Sequence, residues 1–300
     1  RDTCLCLAPH PDDEIIGCGG ALALAAAAGA KVITAILTDG QAAIDGVAIP
    51  TTHRIAESQE AARRLGIPAP LALGLTDRQL RYAPPLIQLI QDLVMKERPS
   101  ILLVPALTEP HPDHQVPALV ALAVAQSVTW DMDIWFYECG APTQPNILLP
   151  IDRVAPLKWN ALQAFKSQEA LHPYCAQAQA LAKVRAFSLP DTENAEAFCR
   201  VSHQQTRQTG GLGAAVAWPA MRSMLGLLNI HLERVSGGDV ERAARSIAEN
   251  GLLFHTRGAS RAIKRVLASV DQLDPDALEP AEQQRYEAIV VTEWPERSLA

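Results

Sequence analysis

The strongest constraint on the fold is an alternation, across the first 105 residues, of short apolar runs with longer stretches of helical period. Cys4 to Leu7, Val32 to Leu37, Leu71 to Leu75 and Ile101 to Pro105 have the length and apolar character of buried strands. Between them come an alanine-rich stretch from Ala21 to Ala28, a helical face made by Ile55, Ala62 and Leu65, and apolar residues at helical spacing from Leu86 to Val94. Gly66 closes the second of these, as a left-handed residue closes a helix. An order β-α-β-α-β-α-β needs right-handed crossovers and therefore a sheet covered on both faces. The expected fold class is α/β, a Rossmann-like, mostly parallel sheet flanked by helices. Ile134 to Tyr137 and Asn146 to Ile151 read as later strands, and a helix is expected from about Leu157 to Ala170. Residues 1–205 are expected to form this domain. Past Ser202 the chain turns polar and then resumes helical period, so residues 206–300 read as a mainly helical extension of unknown role, with one short strand at Ile289 to Thr292.

Open α/β sheets collect their ligands outside the carboxyl ends of the strands. Two polar clusters fall there: His10-Pro11-Asp12-Asp13-Glu14 after the first strand, and His111-Pro112-Asp113-His114 after the strand ending at Pro105. The expected fold places those two strands side by side at the switch point, so the clusters meet. Two imidazoles and one carboxylate make the three-ligand set that catalytic zinc uses while keeping a position for water. Hydrolysis also needs a base not bound to the metal. Asp12 or Asp13 can be the ligand while the other is the base. Imidazole and carboxylate also suit Fe2+ or Mn2+, so zinc is the expected ion among several that fit. HPDD alone could be a stiff strand exit with helix-capping aspartates, but two clusters at one sheet edge favour a metal site. Gly17, Gly19 and Gly20 do not suit a pyrophosphate, because Asp12, Asp13 and Glu14 precede them and would repel it. A tight turn and close helix packing is their expected role.

The run APHPDDE (Ala8 to Glu14), the GCGG that follows and the downstream HPDH resemble the two signatures of the PIG-L or LmbE-like deacetylase family. The resemblance implies that His10, Asp13 and His114 bind the metal, that Asp12 is the general base, and that a protonated His111 assists the tetrahedral intermediate. It places Asp113 behind an imidazole as an orienting carboxylate. Weaker matches extend over roughly the first 200 residues: Arg54 with Glu57, Asp77, Lys158, the pair Ser167-Gln168, and AEAF at 195–198. Through these the resemblance implies Arg54 and Asp77 as substrate contacts. Glu109 stands where some relatives carry a tyrosine, which removes a phenol from the expected oxyanion site. The implied activity is zinc-dependent N-deacetylation of an N-acetylglucosamine-type or related small amine conjugate. The alternative is a metal-retaining binding or scaffold domain of a larger protein, and the presence of both Asp12 and His111 argues against it.

Composition narrows the partners. With 48% hydrophobic residues, a formal charge of -7 and no apolar run of the roughly 18 residues a membrane helix needs, the chain offers neither a transmembrane segment nor a basic field for nucleic acid. The expected partner is a small acylated amine of glycosidic type. Six cysteines without a C-x-x-C pair, mostly inside apolar segments, read as reduced core thiols of a cytoplasmic protein.

Overall fold

A computed structural model describes residues 2–44, 47–143, 145–209 and 289–290. In chain order the elements are β1 (Thr3–Ala8), α1 (Asp13–Ala27), β2 (Lys31–Thr38), β3 (Ala42–Ile44), β4 (Val47–Ile49), α2 (Thr51–Leu65), β5 (Leu71–Leu75), α3 (Pro84–Glu97), β6 (Ile101–Pro105), α4 (Pro112–Ala125), β7 (Asp133–Tyr137), β8 (Ile147–Pro150), α5 (Ala155–Leu162), α6 (Lys166–Glu169), α7 (Tyr174–Ala186), β9 (Ala195–Val201), α8 (His203–Thr209) and β10 (Ile289–Val290).

The main sheet has the order β10-β8-β9-β7-β6-β1-β2-β5, and β9 alone runs antiparallel to its neighbours, β7 and β8. β1 pairs in parallel with β2 on one side and with β6 on the other. From β1 the chain winds outward through β2 to β5, then returns across β1 to start β6. That reversal leaves a crevice at the carboxyl ends of β1 and β6.

Alternation along the central strands divides the core in two. Leu5 and Leu7 of β1, with Leu102 and Val104 of β6, face a cluster shared with α3 and α4. Cys4 and Cys6, with Ile101 and Leu103, face a second cluster built with α1, α2 and α5. Period-2 strands buried on both faces make a continuous apolar run, which is how these strands appear in the sequence.

Several elements differ from the sequence reading. The expected helix from Leu157 to Ala170 is two pieces, α5 and α6, because the chain bends at Phe165 (φ -81, ψ 59) and brings the Ser167 amide to Glu57 Oε1 at 2.9 Å. The polar stretch after Gly40 contains the hairpin β3-β4. Helix α4 is buried on almost every face, so it lacks the one-sided stripe that marks a helix in sequence. Ile289–Val290 does form a short strand, parallel to β8, while the rest of the expected helical extension beyond Thr209 lies outside the described residues. All six cysteines are free, and every one but Cys175 is buried. Among the described residues no helix is long and apolar enough to cross a membrane.

Candidate functional site

The turn after β1 is fixed before any ligand arrives. Thr38 at the end of β2 donates both its amide (2.9 Å) and its hydroxyl (2.8 Å) to the Pro9 carbonyl. Asp12 then takes φ 137, ψ -32 and caps α1. Positive φ is uncommon outside glycine and is held only where the surroundings enforce it. Here the Asp12 amide is caught by Glu14 Oε2 (3.0 Å) and its carboxylate by Arg54 (3.0 Å). Across the crevice, His111 caps α4 by accepting the Asp113 amide on Nδ1 at 3.2 Å, with Pro112 at the first helical position. The cap is thus the imidazole, not the Asp113 carboxylate.

These two helix starts bring the expected ligands together. Asp13 Oδ2 lies 3.1 Å from His10 Nδ1 and 3.2 Å from His114 Nε2, and the two nitrogens are 3.3 Å apart. The outward nitrogens are held by carboxylates: His10 Nε2 by Asp77 at 3.0 Å, and His114 Nδ1 by Glu109 at 3.3 Å. Asp113, fully buried, approaches His10 Nε2 less closely, at 3.6 Å, and accepts the Arg78 amide at 2.6 Å. Asp77 is therefore the nearer carboxylate to His10, and it also lines the cavity. Arg54 is 4% exposed and donates to Asp12, Pro11 and Gly40, so its guanidinium holds the Asp12 turn at the cavity wall. Cys139 also lies close: its thiol, Asp13 and His114 bring three donor atoms within 4.8 Å, as do His10, His111 and His114, and His10, Asp77 and Asp113.

Burial and charge set the protonation of the metal-free cluster. Burial disfavours a charged His114, yet Asp13 and Glu109 outweigh it and push its pKa up to about 9. His10 likewise ends well above the usual imidazole value, burial being overcome by Asp113, Asp13 and Asp77. Asp13 lies well below the carboxylate range because His114 and His10 outweigh its burial. Burial raises Asp12 to about 8 against the pull of Arg54. His111 moves the other way, down to about 4, through burial and the neighbouring imidazoles of His10 and His114. In this metal-free cluster a neutral His111 whose Nδ1 accepts a backbone amide carries its proton on Nε2.

The cluster forms the floor of a cavity of about 400 Å³ whose walls include Gln41, Arg78, Pro110, Gln168, Leu171 and Tyr174. Sequence reasoning had no signal for Tyr174 or Arg78, and it noted Glu109 solely for the missing phenol. Of the weaker matches, Glu57 holds the Ser167 amide at 2.9 Å and Lys158 meets Glu196 at 2.6 Å, both as buried framework contacts.

Fold and site together define an α/β protein with a buried imidazole and carboxylate cluster, able to hold a metal ion, at a topological switch point. Residues 5–125 match the model of the PIG-L family, GlcNAc-PI de-N-acetylase. Over 118 residues the chain is 36% identical to diacetylchitobiose deacetylase of Thermococcus kodakarensis, a match covering 37% of this chain and 44% of that relative. A conserved protein of Thermus thermophilus superposes with a TM-score of 0.57 at 27% identity, over 65% of this chain and 92% of the other. N,N'-diacetylchitobiose deacetylase of Pyrococcus horikoshii shares the fold, with a TM-score of 0.60 at 22% identity over 68% and 85% of the two chains.

Proposed function

We propose that this protein is a zinc-dependent amide hydrolase that removes the acetyl group from an N-acetylglucosamine-type or related amine conjugate. The observation that carries the reading is the triangle of His10 Nδ1, Asp13 Oδ2 and His114 Nε2 with edges of 3.1, 3.2 and 3.3 Å. Zinc bonds of about 2.0 Å at tetrahedral angles span an edge of about 3.3 Å, so these donors suit one ion without rearrangement. Of the three other donor groups, two fit less well, since Asp77 and Asp113 flank the outer nitrogen of His10, and burial raises the Cys139 thiol pKa.

Zinc held there would polarise the amide carbonyl and lower the pKa of a bound water. The chain supplies the rest. Asp12, facing the cavity and excluded from the ligand triangle, accepts the proton of the attacking water. Arg54 fixes the carboxylate by its 3.0 Å hydrogen bond. His111 donates from Nε2 to the oxyanion of the tetrahedral intermediate, a contact whose loss costs about 100- to 1,000-fold in such sites. Burial raises the Asp12 pKa and so favours its protonated form, which makes the same carboxyl competent to return the proton to the departing nitrogen. Arg54 and Asp77 enter as positioning residues, and we assign residues 1–205 as the catalytic unit.

The test is release of free amine from a panel of N-acetylglucosamine conjugates by the zinc-loaded chain. Asp12→Asn is expected to retain its zinc and lose about 100- to 10,000-fold in turnover. No amine from any conjugate, with zinc fully bound, counts against the reading. Loss of zinc in Asp12→Asn would exchange the roles of Asp12 and Asp13.

A further inference from the structure

Gln168 lines the catalytic cavity although it is only 6% exposed, and its carboxamide oxygen has no hydrogen-bond partner among the described residues. Which end of a carboxamide faces outward is decided by the hydrogen bonds behind it. Here they are asymmetric. Buried Glu57 accepts the Ser167 amide on Oε1 at 2.9 Å and the Ser167 hydroxyl on Oε2, and His53 Nε2 also approaches Oε1, at 3.3 Å. A carboxylate only accepts, so the one hydroxyl proton of Ser167 is committed to Glu57 and its oxygen has lone pairs alone to offer Gln168. Gln168 meets that oxygen with Nε2, at 3.4 Å. Turning the carboxamide over would set a carbonyl oxygen against the hydroxyl oxygen with no proton between them. The bonds running from Glu57 through Ser167 to Gln168 therefore fix the nitrogen inward and leave the oxygen to the cavity.

The same helix fixes the catalytic turn. Arg54 and Glu57 lie one turn apart on the buried face of α2, and Arg54 holds the Asp12 carboxylate at 3.0 Å. One rigid element thus sets both the carboxylate proposed as base and the carboxamide on the cavity wall. An acceptor held this far from bulk water and left unpaired is destabilising, which points to a ligand that supplies the missing donor.

We propose that Gln168 is a specificity-determining residue whose carboxamide oxygen accepts a hydrogen bond from a hydroxyl of the substrate. Glu57 is the positioning residue that, through Ser167, keeps that oxygen facing the cavity. The inference rests on the hydrolase reading above and deepens it, since the substrate must carry a hydroxyl donor at a set place relative to the amide that is cut. An acceptor-only group in that place meets lone pairs and is rejected.

The experiment compares the zinc-loaded full chain with Gln168→Met and Glu57→Gln. The substrates are the methyl glycoside of N-acetylglucosamine and its analogues in which the 3-, 4- or 6-hydroxyl is replaced by fluorine, which donates no hydrogen bond. At one of these positions fluorine should lower the wild-type kcat/KM about 10- to 100-fold. Gln168→Met keeps the length of the side chain without the acceptor and should remove most of that penalty. Glu57→Gln presents an amide nitrogen to the Ser167 oxygen, frees the hydroxyl proton for Gln168 and turns the carboxamide nitrogen to the cavity. The fluorine penalty should then vanish with zinc content unchanged, because Glu57 touches no proposed ligand. Should Glu57→Gln fail to fold, Gln168→Met decides alone. Equal tolerance of fluorine at all three positions in the wild type, or a penalty that the variants leave in place, would overturn the proposal. Should the wild type hydrolyse no substrate, the hydrolase reading fails by itself. Calorimetric titration with the same glycosides then judges Gln168: binding about tenfold weaker for one fluorinated analogue in the wild type but not in Gln168→Met upholds it, and any other result rejects it.

Discussion

Glu109 does work that its position in the sequence did not suggest. Its two oxygens accept the amides of Cys139, Gly140 and Ala141 and hold His114 Nδ1, so one buried carboxylate joins the loop after β7 to the imidazole proposed as a zinc ligand. Replacing it by glutamine keeps the shape but turns an acceptor into a donor facing donors. Glu109→Gln is therefore expected to weaken zinc binding about 10- to 100-fold, as losses of orienting carboxylates do, and to destabilise the metal-free protein by about 1–3 kcal/mol. Competition against a chelator measures the first and denaturant unfolding the second; unchanged zinc affinity would remove Glu109 from the centre. The proposed ligands stand out in the sequence because each cluster packs several metal-competent side chains into a few residues. The pairing of Asp77 with His10 was not legible, because the two lie 67 positions apart in the chain. Arg54 sits among polar residues in sequence, and nothing there reveals that the turn at Asp12 closes over it.

Among the elements, α1 shows most directly how packing places Asp13, a proposed ligand. Cys18 departs from helical geometry (φ -141, ψ 20), and the amides of Gly20 and Ala21 donate to Glu196 of β9 at 2.7 and 2.8 Å. Lys158 of α5 neutralises that carboxylate at 2.6 Å, so the kink is satisfied by a buried ion pair. The glycines allow the helix to sit close to the sheet. A Cβ on Gly17 would lie 2.2 Å from the ring of Tyr137, whose hydroxyl is itself fixed to the Leu7 carbonyl at 2.9 Å. Gly17→Ala is thus expected to cost about 1–3 kcal/mol through overpacking, and, by shifting the first turn that carries Asp13, to weaken zinc binding as well. Thermal unfolding and zinc titration check the two effects; a fully stable variant with normal affinity would show that Tyr137 moves freely. The sequence reading anticipated close packing at these glycines but set the helix start near Ala21. Helix propensity is poor across Gly17 to Gly20, and tertiary contacts that sequence does not display override it. Gly66 was legible for the opposite reason: its left-handed cap (φ 79) is a local requirement, with its amide turned back to the helix it ends.

For the molecule as a whole, the parallel core was legible because β1, β2, β5 and β6 are each short apolar runs separated by helices, and the crossover rule leaves few arrangements. The antiparallel β9 was not, since AEAFCRV owes its place to long-range pairing with β7 and β8. In the proposed zinc site the same architecture would couple metal to stability, because the donors come from the starts of α1 and α4 and no site exists once the crevice between β1 and β6 opens. Zinc at a thousandfold excess over its Kd stabilises by about 4 kcal/mol, so removing it should lower the melting temperature on the order of 10 °C. The size of that drop should depend on pH. In the metal-free fold His114 is raised from 6.5 to about 9, so its contribution to stability is complete below pH 6.5 and is lost as pH rises through about 9. Zinc works in the opposite sense, because it must displace the protons of His114 and His10 and binds about tenfold tighter per pH unit for each proton released. The melting temperature of the metal-free protein should therefore fall between pH 6.5 and 9 while the increment from zinc grows. Calorimetric scans with and without a chelator across that range test the coupling, and an increment independent of pH would mean that the imidazoles are not the zinc ligands.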